Sequence, residues 1–236
     1  MTLKLGIPSK GRLQEMCFDW FGARGVRLSR AGAAREYSAE VDGMDGIALV
    51  LLSAGEIPRE LAAGRIHLGV TGTDLVQEKI PAWQQRVEEI ARLGFGHADL
   101  VLAVPRIWID VDTLDDLDAV AAQFRARHGF RLRIATKYHN LVRDFLRARG
   151  VADYRLVDSQ GATEGTVRNL TAEAIADITS TGDTLAANHL KPLADGLVLA
   201  SEAALFRSLR APQSPDTGAS AAALLARLGL SGQNMQ

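Results

Sequence analysis

The chain is short of cysteine, of net charge and of long apolar runs, and each shortage excludes a class of protein. One cysteine, Cys17, among 236 residues excludes an internal disulfide framework and a cysteine-rich zinc site. The formal net charge of −1 gives no overall attraction to nucleic acid or to acidic membranes. No apolar run reaches the roughly 18 residues of a membrane span, and MTLKLGIPSKGR lacks the apolar core of a signal peptide. We therefore expect a cytoplasmic protein with neither a nucleic-acid nor a membrane partner.

Several common catalytic and nucleotide-binding motifs are also missing. The P-loop pattern GxxxxGK[ST] is absent, and Gly94-Phe95-Gly96 is followed by Asp99 where a dinucleotide fingerprint needs its third glycine. The five histidines form no HExxH motif, so a structural metal is not expected, and no GxSxG elbow suggests covalent catalysis.

The sequence instead alternates apolar strand-like runs with helical patterns, which indicates an α/β fold. Strands are predicted at 3–7, 47–52, 67–71, 98–104, 132–135, 154–157, 174–178 and 197–201. Helices are predicted at 11–23, 56–63, 114–127 and 139–149, the third of them capped by Thr113 or Asp112. From Ala211 the stretch APQSPDTGAS precedes a short Ala/Leu helix near 220–228, and we expect 211–236 to be a flexible tail.

The stretch IADITSTGDTL at 175–185 indicates a binding site for a phosphorylated sugar. Asp177 near a strand end is placed to accept hydrogen bonds from sugar hydroxyls. The following turn offers backbone amides and hydroxyls at a helix start, and Gly182 can adopt the positive φ that such an anion nest needs. One capping hydroxyl would suffice for an ordinary helix start, whereas four hydroxyls with a glycine favour phosphate. Those four belong to Thr179, Ser180, Thr181 and Thr184.

Weaker candidates lie elsewhere. Lys10 and Arg12 flank Gly11 at a helix start, where cations oppose the helix dipole and ask for a compensating anion. Lys137 follows a predicted strand, at the edge where open α/β sheets place ligand groups. Taken alone, Arg35 could equally be a surface charge, and the loop 161–165 (GATEG) could be a plain loop with a capping residue.

Five blocks in order resemble the short form of the ATP phosphoribosyltransferase family, whose reaction begins histidine biosynthesis. They are PSKGRL, EIPRELAAGRIHLGVTGTDL, RIATKY, GATEG and ADITSTGDTLAANHL, and the resemblance covers residues 3 to about 207. The resemblance implies an α/β, two-lobed fold similar to type II periplasmic binding proteins, with a central cleft. Lobe I is expected at 1–95 plus 195–210, and lobe II, which carries the phosphoribosyl pyrophosphate loop, at 96–194.

The resemblance also implies an activity: transfer of phosphoribosyl from phosphoribosyl pyrophosphate to N1 of ATP, with release of pyrophosphate. Mg²⁺ would be bound mainly through substrate phosphates, and no metal ligand is assigned. Lys10, Arg12 and Arg35 would act on pyrophosphate or ATP phosphates, and Asp177 would hold the ribose hydroxyls. The remaining expected substrate-binding residues are Thr179, Ser180, Thr181, Gly182, Asp183, Thr184, Gly161, Thr163, Glu164 and Lys137.

The expected partner is a regulatory subunit similar to histidyl-tRNA synthetase, in homo- and hetero-oligomers, because short-form members lack the regulatory domain of the long form. The chain departs from the family pattern at Ser53, where many members have arginine, and at Ala162, where serine is frequent. Residues 165–173 also differ, with Val167, Leu170 and Glu173.

Two alternative functions stay open. One is a two-lobed solute-binding protein without catalysis, and the other is a different phosphoribosyltransferase. The common purine enzymes carry two adjacent acids before TGxT, whereas here the pair is Ala176-Asp177.

Overall fold

The computed structural model describes residues 1–30, 38–159 and 161–230, with the side chains of 30 and 38–40 left aside, and the chain forms two compact units. The first unit comprises Met1–Gly96 and Glu202–Gln236, and the second is the continuous segment His97–Ser201. No α-helix of the described residues is long and apolar enough to cross a membrane.

A seven-stranded sheet forms the first unit, in the order β2-β3-β4-β1-β5-β12-β6. Its central strand β1 is parallel to β4 and β5, while β12 lies antiparallel between β5 and β6. The consecutive residues from Leu5 to Pro8 of β1 are all buried, as expected for a parallel strand covered on both faces. The strands are β1 (Leu3–Pro8), β2 (Leu28–Arg30), β3 (Ser38–Val41), β4 (Ile47–Leu52), β5 (Leu68–Gly72), β6 (Val87–Arg92) and β12 (Ala203–Ser208).

The helices of the first unit are α1 (Arg12–Gly22), α2 (Ile57–Ala62), α3 (Thr73–Lys79) and α8 (Pro215–Arg227), with a 3₁₀ turn at Trp83–Gln85. Helix α2 has Pro58 in its first turn, where the missing N–H costs nothing. Ile57 and Leu61 of this helix pack with Phe206 of β12 in one apolar cluster.

Residues 215–227, which fall in the expected flexible tail, form helix α8. Ser214 caps it through a reciprocal pair of hydrogen bonds with Thr217, and Pro215 occupies the first turn. Leu224 and Leu228 are buried in the same apolar cluster as Leu3 and Leu5 of β1. This burial anchors the helix to the core. Residues 231–236 lie outside the described part of the chain.

The second unit contains a five-stranded sheet in the order β11-β7-β10-β8-β9. Strands β8, β9 and β10 are parallel to one another, whereas β7 is antiparallel to both β10 and β11. The strands are β7 (Ala98–Pro105), β8 (Leu132–Thr136), β9 (Tyr154–Asp158), β10 (Ala174–Thr179) and β11 (Leu190–Ser201). The helices are α4 (Leu114–His128), α5 (His139–Ala148), α6 (Gly165–Arg168) and α7 (Asp183–Ala187).

Two local features of this unit bear on the expectations. Thr113 caps α4 in a reciprocal pair with Asp116, which confirms one of the two predicted caps. Strand β11 continues to Ser201, which pairs with Ala98 of β7. The second unit therefore extends past the expected boundary at 194, because the strand stays hydrogen-bonded to its neighbour up to that point.

Candidate active site

Three parallel strands of the second unit end side by side and gather most of the expected substrate-binding residues. Ala176 of β10 pairs with Thr136 of β8, which pairs in turn with Asp158 of β9. The segments that follow are Lys137, the loop at 161–165, and Asp177 with its turn. The carboxyl edge of a parallel sheet is where α/β proteins place their ligands.

The turn after β10 contains one glycine with the left-handed backbone predicted for an anion nest. Gly182 has φ 81°, which confirms the predicted positive value. Its N–H donates to Thr179 Oγ1 at 2.9 Å, which closes the turn. The amides of Ser180 and Thr181 have no hydrogen-bond partner among the described residues, so these two donors are available to an anion.

The hydroxyls of this turn are held by local partners. Thr181 Oγ1 donates to Asp183 Oδ2 at 2.8 Å, and Ser180 Oγ donates to the His97 carbonyl at 3.0 Å. The predicted helix begins at Asp183 but covers only Asp183–Ala187, so its dipole is weak. Anion binding here therefore depends on amides and hydroxyls more than on the helix.

Asp177 is half-buried, near the end of β10, and faces Val101 across the antiparallel pair. Its Oδ1 accepts the N–H of Ile178 at 2.9 Å, which fixes the carboxylate against its own backbone. Oδ2 has no hydrogen-bond partner within the described ranges, so it is open to a ligand hydroxyl.

The loop at 161–165 is tied to the end of β8. Lys137 Nζ donates to the Gly161 carbonyl at 2.6 Å, and Gly161 has φ 90°. Thr163 is fully buried, and its hydroxyl lies 2.8 Å from Ser159 Oγ, so it fixes the loop from inside. Glu164 is half-buried where α6 begins.

The first unit also places expected site residues, Lys10 and Arg12, just after the end of a strand, β1. Ser9 N–H donates to the Leu52 carbonyl at 2.7 Å, which continues the β1–β4 pairing, and Gly11 with φ 76° then starts α1. Lys10 and Arg12 are exposed and make no hydrogen bond or ion pair with a described residue. Their charges are thus uncompensated within that part of the chain. Arg35 lies outside the described residues.

Ser53, the position of a frequent family arginine, follows β4 beside this site. Its N–H donates to Glu56 Oε2 at 2.9 Å. Hydrogen bonds from the Ser53 side chain and backbone hold the pKa of Glu56 below its ordinary value. The Glu56 carboxylate thus closes the turn before α2, and this edge carries an anion next to Ser53 where many family members have a cation.

Sequence reasoning missed one polar pair at the candidate edge of the second unit. Asp158 ends β9, and its Oδ1 lies 2.6 Å from His139 Nε2 at the start of α5. The sequence does point to Asp158, because this residue follows the apolar run of β9 just as Asp177 follows that of β10.

Comparison with known proteins identifies the chain. The family model described as HisG, ATP phosphoribosyltransferase, matches residues 53–229. An ATP phosphoribosyltransferase from Cereibacter sphaeroides is 73% identical over 230 residues, covering 98% of this chain and 97% of that protein. The chain is an enzyme of the pentosyltransferase class. It belongs to the ATP phosphoribosyltransferase family, whose reaction is the first step of histidine biosynthesis.

Solved structures agree on the fold. The chain from the ATP phosphoribosyl transferase (HisG:HisZ) complex of Thermotoga maritima has a TM-score of 0.70 at 22% identity, covering 97% of this chain and 96% of that one. The substrate-binding protein of an amino acid ABC transporter has a TM-score of 0.50 at 12% identity, covering 99% and 95%. These likenesses confirm the predicted α/β, two-lobed, type II periplasmic-binding-protein-like fold. Family membership decides for the transferase over the two alternatives.

Proposed function

We propose that this chain transfers phosphoribosyl from phosphoribosyl pyrophosphate to N1 of ATP, and that its second unit holds the phosphoribosyl group. The observation that carries the assignment of residues is the convergence of three parallel strand ends on Asp177 and its turn. There, the Asp177 carboxylate can accept hydrogen bonds from sugar hydroxyls, and the amides of Ser180 and Thr181, next along the chain, can donate to a phosphate. That order matches the order of groups on a ribose 5-phosphate.

In this proposal Asp177 Oδ2 accepts hydrogen bonds from the ribose hydroxyls. The amides of Ser180 and Thr181 donate to the 5-phosphate, with Thr179, Gly182 and Thr184 shaping the turn. The Thr181 hydroxyl, now 2.8 Å from Asp183 Oδ2, turns to the phosphate when it binds. Each charge-assisted hydrogen bond contributes about 1.5–3 kcal/mol.

The loop at 161–165 completes this side of the site. Lys137 holds Gly161 in place and adds positive charge next to the phosphate turn. Thr163 acts by positioning the loop, since its buried hydroxyl already binds Ser159. Glu164 contacts the ribose or a water molecule on the metal ion.

The reaction breaks the bond from C1 to the pyrophosphate oxygen and forms a bond from C1 to adenine N1, with inversion. Positive charge develops on the sugar and negative charge on the leaving group, so no protein nucleophile is needed. Lys10 and Arg12, and Arg35 by its sequence position, supply the compensating charge to pyrophosphate or to the ATP phosphates.

Mg²⁺ would neutralise the departing pyrophosphate. No group of three or more His, Cys, Asp or Glu side chains in the described ranges is arranged to hold a metal ion. We propose that the ion arrives on the substrate phosphates and keeps several of its waters. Glu164 is the side chain we place nearest to such a water.

We further propose a regulatory subunit similar to histidyl-tRNA synthetase as the partner. The support is the Thermotoga maritima structure, which is of a HisG:HisZ complex. The activity assay therefore needs two arms, the chain alone and the chain with that subunit.

The test is pyrophosphate release on mixing the chain with ATP, phosphoribosyl pyrophosphate and Mg²⁺. Asp177→Asn and Arg12→Ala should each lower kcat/KM by about 10–100-fold, since each removes one charge-assisted contact. The matched controls are Asp115→Asn and Arg27→Ala, both exposed and without a described side-chain partner.

If wild type releases no pyrophosphate in either arm, the activity is wrong. If wild type is active but Asp177→Asn turns over as fast as Asp115→Asn, the ribose assignment is wrong and the activity stands. The same comparison between Arg12→Ala and Arg27→Ala decides the role of Arg12.

A further inference from the structure

A concave pocket rich in arginine lies at the end of the second unit's sheet away from the candidate active site. Its volume is about 570 Å³. Four arginines line it, together with Tyr154, Val151 and Leu156. We call this set, with Arg131, Arg143, Arg147 and Arg155, the arginine pocket.

The pocket lies beside the first half of β9, whereas the phosphoribosyl turn follows β10, two strands away in the same sheet. Tyr154 begins β9, and Asp158 ends it at the candidate active site. Four steps of about 3.3 Å put roughly 13 Å between these two positions. A ligand in the arginine pocket is therefore distinct from the phosphoribosyl group.

Positive charge in the pocket is only partly compensated. Arg147 and Arg155 make no ion pair or hydrogen bond with any residue that the structure describes. Arg143 donates to the neutral side chain of Asn140 at 3.2 Å and forms no ion pair among the described residues. These three guanidinium groups keep their donors for a ligand.

Three carboxylates lie nearby, and the first of them, Asp118, accepts the N–H of the pocket residue Ala152 at 2.8 Å without lining the pocket itself. Asp153 Oδ1 is bound by Arg125 Nη1 at 2.5 Å and is 3.9 Å from Arg131 Nε. Asp144 is exposed on α5 next to Arg143 and forms no ion pair with a described residue. None of these acids lines the pocket, so its wall carries guanidinium charge alone.

Tyr154 adds a polar group to the wall. Burial raises the pKa of its hydroxyl, the positive charges of Arg143 and Arg131 oppose this effect, and the negative charge of Asp144 adds to it. The Tyr154 hydroxyl thus stays protonated at neutral pH and can donate a hydrogen bond to a ligand in the arginine pocket.

We propose that the arginine pocket binds a small anion that carries a phosphate group. The guanidinium fork matches phosphate oxygens in pairs, and the concave shape suits a small molecule. A second copy of this chain is disfavoured as occupant, because a two-fold contact would oppose the same positive charges. The phosphate could come free or on a nucleotide.

The experiment uses the full chain labelled with 3-fluorotyrosine and followed by ¹⁹F NMR. Tyr154→Phe assigns the Tyr154 resonance, and sodium phosphate is titrated at constant ionic strength. The expected result is a saturable shift of Tyr154 in the millimolar range. Arg147→Gln and Arg155→Gln should each weaken binding about fivefold or more, whereas Arg127→Gln on α4, equally exposed and without a described partner, should not.

Titration with ATP shows whether the phosphate is free or carried by a nucleotide. If the Tyr154 shift saturates at a lower concentration of ATP than of phosphate, the site binds nucleotides; if the two concentrations are equal, it binds the phosphate group itself. Tyr138, next to Lys137, reports phosphate bound at the candidate active site, so failure of either site is seen separately. No saturable shift at Tyr154 with either anion, or an unchanged affinity in Arg147→Gln and Arg155→Gln, would overturn the proposal. The arginines would then only solvate the edge strand β9.

Discussion

Gly182 in the phosphoribosyl turn offers the most direct test of the site, through Gly182→Ala. Gly182 has φ 81°, and a Cβ added there would meet no atom within 4 Å. The substitution therefore creates no clash, and its whole effect is conformational. Any change in activity then reports on the backbone of the turn.

The expected loss of stability follows from the left-handed backbone. An L-residue in that region costs roughly 1–2 kcal/mol, and the stiffer unfolded chain returns about 0.4–1 kcal/mol. The free energy of unfolding should fall by about 1 kcal/mol. Gly129 at the end of α4 is a matched control, since it has φ 77° and equally open surroundings.

The effect on substrate should separate the two variants. An alanine that leaves the left-handed region breaks the hydrogen bond to Thr179 and turns the amides of Ser180 and Thr181 away. Losing one charge-assisted contact of about 1.5–3 kcal/mol should raise the KM for phosphoribosyl pyrophosphate by about 10–100-fold. Gly129→Ala should lose similar stability and keep its KM.

Urea denaturation and initial rates of pyrophosphate release measure both quantities. The reasoning fails if Gly182→Ala keeps its KM within about twofold of wild type while its stability falls as predicted. It also fails if Gly129→Ala raises the KM equally, because the effect would then come from general loosening of the unit.

Three further predictions concern stability. Burial raises the pKa of the Cys17 thiol from 9.0 to about 12, so native protein should resist iodoacetamide at pH 8.5 until urea is added, and the unfolded chain ionises first. Stability should thus fall as pH rises from about 9 toward 12, and Cys17→Ala should reduce that slope, leaving the contribution of Tyr154, whose pKa is also raised. Glu173→Gln breaks a half-buried carboxylate contact to both the backbone and the side chain of Arg133, and it should lower the free energy of unfolding in urea by about 1–2 kcal/mol. The control Glu60→Gln breaks a more exposed ion pair and should lower it by less than about 1 kcal/mol. Equal losses in the two variants would contradict this prediction. Leu224→Ala should cost about 2–5 kcal/mol, and an unchanged midpoint would show that α8 is not part of the core.

The strands with continuous apolar runs were predictable, and β4 has the predicted bounds, 47–52. The first half of β11 was not, because LKPLADG contains Pro192 and Gly196, which usually end a strand. The sheet tolerates both residues here, since β11 is an edge strand whose register shifts between Pro192 and Leu197. A Cβ at Gly196 would lie 3.1 Å from the Leu102 carbonyl, so close backbone approach explains the glycine.

The candidate site was predictable only as far as its chemistry is local. The positive φ of Gly182 follows from its own turn, and the structure confirms it. The burial of Thr163 and the contact of Lys137 with Gly161 depend on how separate strands align, which short motifs do not encode. Glu173 departs from the family pattern, and only the structure explains it: its carboxylate accepts the N–H of Arg133, 40 residues away in sequence.

The position of β12 has a consequence for a chain emerging from the ribosome. Every residue of the second unit is synthesised before β12, yet β12 lies between β5 and β6 in the first sheet. The nascent first unit must therefore wait with an open β5 edge and an unpaired β6 while the second unit can already fold. Such delayed, long-range pairing slows folding and exposes strand edges to other chains. The interval in which β5 and β6 await β12 is thus where this protein is most open to aggregation and to chaperone binding.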